Sequence, residues 1–150
     1  MRAAVLALVL CSIGGAALAE TAWCPDLKRV TDVAATNRLA AIAGLPREGS
    51  FRATTMPLAG WRDCSLYGAR TYTCDSTGFT TAGDAERALA ALVAEVTDCL
   101  GEGWSRDVGH SSPVYVVVRS GHDAVSMTLS TDQADDGRHV VRLTLFMRGR

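Results

Sequence analysis

The stretch Asp84-Ala85-Glu86-Arg87-Ala88-Leu89-Ala90-Ala91-Leu92-Val93-Ala94-Glu95-Val96-Thr97-Asp98-Cys99-Leu100 decides the fold. Ala85, Ala88, Leu89, Leu92, Val93, Val96, Cys99 and Leu100 recur at spacings of three and four, while Glu86, Arg87, Glu95 and Asp98 take the other side. That pattern predicts an amphipathic helix. Thr81 or Asp84 supplies its cap and Gly101 ends it. Its apolar stripe needs a sheet to cover.

Three downstream runs of period two supply that sheet. Val114–Arg119 is β-branched almost throughout. Ala124–Ser130 sets Val125, Met127 and Leu129 against polar residues, and Val140–Arg148 sets Val141, Leu143, Leu145 and Met147 against Arg142, Thr144 and Arg148. Turns at Ser120–Asp123 and Asp135-Asp136-Gly137 are short enough to join the runs as an antiparallel meander. Upstream, Gly60–Tyr67 and Arg70–Asp75 form a hairpin around Gly68, with Cys64, Leu66, Tyr72 and Cys74 on one face. Phe51–Met56, threonine-rich and ended by Pro57, is a further edge strand or an extended loop.

Cys24-Pro25-Asp26 opens a first helix, since proline is tolerated in a first turn and aspartate favours the positive end of the helix dipole. Leu27, Val30, Ala34 and Ala41 share a face, and Gly44 with Pro46 stops the run. The predicted order is α-β-β-α-β-β-β. This is an α+β, two-layer fold, with an antiparallel sheet of about five strands carrying both helices on its apolar face. The other sheet face stays wet or receives a partner.

The first nineteen residues read as a cleavable leader. One positive charge at Arg2 precedes the apolar run Ala3–Ile13, and small residues at Ala17 and Ala19 fit a signal peptidase, predicting cleavage before Glu20. The run is well short of the roughly 20 residues that span a bilayer, which disfavours a stable membrane anchor. Bulky Leu10 before Cys11 disfavours lipid attachment. Residues 20–150 suit one domain with one core, and the expected address is periplasmic or secreted.

Loss of the leader removes Cys11 and leaves Cys24, Cys64, Cys74 and Cys99. An even set in an exported chain reads as two disulfides; no Cys-x-x-Cys pair or finger-spaced histidine supports zinc. The favoured pairing joins Cys64 to Cys74 across the hairpin and Cys24 to Cys99 between helix ends. The alternative ties each hairpin cysteine to a helix cysteine.

The balance of 15 basic and 16 acidic residues shows neither a basic patch nor an acidic tail, which argues against nucleic acid. No motif for a cofactor or a metal emerges. His110 and His139 are expected at one end of the sheet and His122 at the other, so the three do not form a metal site. Asp132, Asp135 and Asp136 with Gly137 lack the pattern of a calcium loop and read as turn-formers. Ser111, Ser112 and Ser126 lack the local signature of a nucleophile, and oxidised cysteines are poor ones. Glu102 and Asp107 flank Trp104, a pairing seen in carbohydrate sites, but Trp104 reads more simply as closing the core beneath the second helix.

The leading expectation is a small protein-binding module: an inhibitor, an immunity factor or an envelope-assembly factor engaging an extracytoplasmic protein. Its expected surface combines the loop from Glu102 to Ser112 with the turn from Thr131 to Arg138. Trp104, Arg106, Asp107, His110, Asp135, Asp136 and His139 are its candidate contacts. The alternatives are an envelope hydrolase using two carboxylates distant in sequence, and a structural protein.

Overall fold

A computed structural model describes residues 21–120 and 125–147. The leader with Cys11 and its cleavage site, His122 with the turn beyond Ser120, and Arg148 lie outside the described residues. Helix α1 (Cys24–Ala35) begins with Pro25 and Asp26 in its first turn and buries Leu27, Val30 and Ala34. It ends earlier than the expected stop at Gly44. Asn37 adopts a left-handed φ of 58°, and the N–H groups of Asn37 and Arg38 turn back to the carbonyls of Ala34 and Val33 at 2.9 and 3.0 Å. Asparagine tolerates this cap better than most residues.

The alanine-rich remainder divides in two. A 3-10 turn, Leu39–Ile42, sends Leu39 and Ile42 into the core, and β1 (Ala43–Pro46) follows. Pro46 is accommodated there because β1 lies at the edge of the sheet. Next come β2 (Phe51–Thr54), β3 (Arg62–Tyr67) and β4 (Thr71–Asp75), then α2 (Ala82–Leu100). Thr81 caps α2, its side-chain oxygen accepting from the Asp84 N–H at 3.1 Å, and Gly101 closes it. The chain continues through β5 (Trp104–Ser112), β6 (Tyr115–Ser120), β7 (Val125–Gln133) and β8 (His139–Met147).

All eight strands form one antiparallel sheet in the order β1-β2-β3-β4-β8-β7-β6-β5. The α+β class holds, but the expected count of about five strands and the expected order do not. The additions are β1 and β5, and Phe51–Thr54, for which an edge strand or a loop was expected, is a strand set one place in from the edge. Residues Glu102 to Ser112 were expected as a loop because they lack apolar alternation; most of them form β5, an outer strand needing little apolar cover. The β4–β8 pairing, from Thr71↔Phe146 to Asp75↔Arg142, joins the N-terminal hairpins to the C-terminal meander.

Both helices lie on one side of the sheet. Helix α2 crosses β5 to β8, and α1 packs on α2, β7 and β8. Leu66, Tyr72, Met127, Leu129, Leu143 and Leu145 meet Leu27, Leu89 and Val96 in a single buried cluster. Leu39 and Leu58 complete it. The fully buried Tyr72 hydroxyl donates to the Met56 carbonyl at 2.8 Å, and burial pushes the phenol well above its ordinary range.

The disulfides are Cys24–Cys99 and Cys64–Cys74, the favoured pairing. Continuing the Ser65↔Thr73 register places Cys64 directly opposite Cys74, with Cα atoms 4.1 Å apart. Two intramolecular bridges fit an oxidising, extracytoplasmic environment. Among the described residues, no helix is long and apolar enough to cross a membrane.

Candidate functional site

The helices cover one sheet face and leave the other free of helices, although Ser65, Val117, Thr128 and Asp75 on it are buried. Directly paired residues in an antiparallel sheet share a face, so the register traces rows across this surface. One row runs Phe51, Tyr67, Thr71, Phe146, Ser126, Arg119, Ser105 from β2 to β5. The next runs Ala53, Ser65, Thr73, Thr144, Thr128, Val117, Asp107. A third runs Asp75, Arg142, Ser130, Tyr115, Ser112. The central rows are therefore rich in hydroxyls, and Thr73 and Thr144 place theirs 3.4 Å apart.

Three aromatic side chains stand in the first row, and Tyr115 stands in the third. Phe51, Tyr67 and Phe146 are 42%, 53% and 38% exposed. Phe51 and Tyr67 contact each other with ring centroids 5.2 Å apart. Single exposed apolar residues need no explanation, whereas the Phe51–Tyr67 pair with Phe146 beyond Thr71 in the same row makes an aromatic strip.

Two charge clusters occupy the rest of the surface. Arg142 binds Asp75 through two hydrogen bonds, Nε to Oδ1 at 2.7 Å and Nη2 to Oδ2 at 2.9 Å, and its Nη1 also binds Asp132. The bonds to Asp75 hold the guanidinium yet more firmly protonated. Near β5, Asp107 Oδ2 lies 3.0 Å from His110 Nδ1 and 2.5 Å from Arg119 Nε. The Arg119 contact is an ion pair made by the buried Nε. The His110 hydrogen bond chiefly holds the Asp107 carboxyl below its ordinary range, with the charges of His110 and Arg119 adding to it.

The seven expected contacts do not form one surface. Register places Asp107 on the open face but Trp104 and Arg106 on the helix side of β5, and Trp104 packs against the core. Trp104 also stands at the opposite end of β5 from the β5–β6 turn, so the expected cluster with His110 is corrected. Asp135 and Asp136 occupy the β7–β8 turn, where Asp136 accepts from the Arg138 N–H at 3.0 Å. His139 opens β8 opposite Gln133 and exchanges backbone hydrogen bonds with Phe79.

His110 and His139 lie toward the same end of the sheet, as expected, but are not neighbours. Three inter-strand steps of about 4.8 Å separate β5 from β8, or about 14 Å. The cause is the unforeseen strand β5, which carries His110 to the sheet edge. Among the described residues, no group of three His, Cys, Asp or Glu is arranged to hold a metal ion.

Phe51, Tyr67, Asp75, Arg119, Arg142 and Phe146 are not legible as one surface in the sequence. One signal was present: in the run ending at Met147, Phe146 falls on the same side as Arg142 and Thr144. A large apolar residue in the wet register of an amphipathic strand marks an exposed ring. No known protein family, curated protein or solved structure matches the chain in comparison.

Proposed function

We propose that the chain is an exported, periplasmic or secreted protein-binding module that receives its partner on the open sheet face. The carrying observation is the row Phe51, Tyr67, Phe146 beside arginines and hydroxyls on one rigid sheet. Aromatic and arginine side chains are the usual anchors of protein interfaces. From Phe51 to Ser105 the row crosses six strand spacings, about 29 Å, a span suited to a standard interface.

A small hydrolase using paired carboxylates finds less support. Asp75 and Asp132 share Arg142, and Asp107 is engaged by His110 and Arg119. Such partners favour the ionised carboxylate, the opposite of what a general acid requires.

The test is capture from envelope extract by the disulfide-bonded protein, with Tyr67→Asp, Phe146→Asp and the helix-side control Glu86→Lys in parallel. One stoichiometric protein should bind the parent and the control but neither aspartate variant. Capture indifferent to both aspartates would overturn the proposed face. Envelope-polymer cleavage abolished by one Asp→Asn change would establish the hydrolase instead.

A further inference from the structure

On the helix side, away from the open sheet face, a groove of about 300 Å³ lies between α2 and the segments around Gly60 and Phe79. Trp23, Trp61, Phe79 and Leu92 supply apolar walls. The indoles of Trp23 and Trp61 meet edge to face, with centroids 6.0 Å apart and planes 84° apart. Gly60 adopts φ 77° and has open space where a Cβ would stand, so the loop beside Trp61 adds no bulk.

The groove has one ionisable wall residue, Glu95. It is exposed and makes no hydrogen bond or ion pair among the described residues. Its helix neighbours at three and four positions are Ala91, Leu92, Asp98 and Cys99, none of them basic. Ser76, also in the lining, is committed elsewhere: its hydroxyl donates to the Thr77 carbonyl and accepts from the Val141 N–H. The site therefore offers aromatic and apolar surface and a carboxylate with no basic residue beside it in the lining.

We propose that this groove binds a small organic cation carrying a quaternary or alkylated ammonium head. The half-buried Trp61 indole, backed edge to face by the buried Trp23, offers electron-rich surface to such a head, and alkyl groups around its nitrogen keep the desolvation cost low. Glu95 contributes the complementary charge. The volume lies at the small end of ligand sites and suits a head group with a short tail rather than a peptide. An anion meets no basic group in the lining, and a neutral apolar molecule leaves Glu95 without a partner.

The experiment titrates the disulfide-bonded protein with choline, tetramethylammonium and dimethylbutanol, the uncharged isostere of choline with carbon in place of nitrogen. Binding is followed by calorimetry and by tryptophan fluorescence. Choline and tetramethylammonium should saturate, with the isostere weaker by roughly tenfold or more. Glu95→Gln should weaken choline roughly fivefold to tenfold without changing the isostere. Glu95→Lys should abolish choline binding, and both substitutions occupy an exposed helical position. Trp61→Leu should remove the preference for the cation over its isostere. No saturable binding, equal affinity for choline and its isostere, or indifference to both Glu95 substitutions would overturn the proposal. The open-face aspartate variants should bind choline like the parent, keeping this test separate from the partner-binding one.

Discussion

Asp107 illustrates how one side chain on the open face is tuned by its neighbours. Its carboxyl receives His110 and Arg119 together and is held below the ordinary carboxylate range, first by the His110 hydrogen bond. A depressed folded-state pKa stabilises the fold fully above the unfolded value, near 4, and that contribution fades as pH falls through the folded value. Carboxyl-carbon NMR should accordingly give Asp107 a midpoint below that of an ordinary aspartate. His110→Ala should move the midpoint upward, and an unchanged midpoint would remove His110 as its main cause. Arg142 behaves differently: with two carboxylates on one guanidinium, it fastens β4 to β7 across β8 rather than leaving a reactive acid exposed.

At the scale of elements, regular burial made some parts readable and its absence hid others. Helix α2 was legible because Ala85, Leu89, Val93 and Val96 form a buried stripe, and β8 because Val141, Leu143 and Leu145 alternate inward. Strand β5 was not, since its partners supply a ladder on one side only and its residues are mostly exposed. The end of α1 was hidden by alanines beyond Asn37 that suit helix, turn and strand alike. The left-handed conformation of Asn37 carries a direct consequence. Asn37→Val should lower unfolding stability in urea by about 1–2 kcal/mol, because a β-branched residue resists that conformation, while Asn37→Gly should be nearly neutral. Equal stability of the two variants would show that this cap does not set the helix end. The candidate site followed the same rule: hydroxyl rows were implicit in strand alternation, but the Asp75–Arg142 partnership depends on β4 meeting β8, which neither strand announces alone.

For the whole molecule, the two disulfides constrain very different lengths of chain. Cys24–Cys99 spans 75 residues and links the two helices, whereas Cys64–Cys74 spans 10 and reinforces one hairpin. Loop-closure entropy predicts a loss of roughly 4.5 kcal/mol on replacing the first pair by alanine and roughly 2.7 kcal/mol for the second. Denaturant unfolding of the two double variants under oxidising conditions should reproduce that ranking; the reverse order would show that local packing outweighs chain entropy.

The β4–β8 pairing also imposes a timetable on synthesis. The chain emerges from its N-terminus, so β4 waits with an open edge until β8, the last described strand, arrives. All four described cysteines precede β5, so both covalent links join segments made before the second half of the sheet exists. Oxidation can therefore secure the nascent N-terminal half first, and the final strand then inserts between two preassembled edges like a keystone.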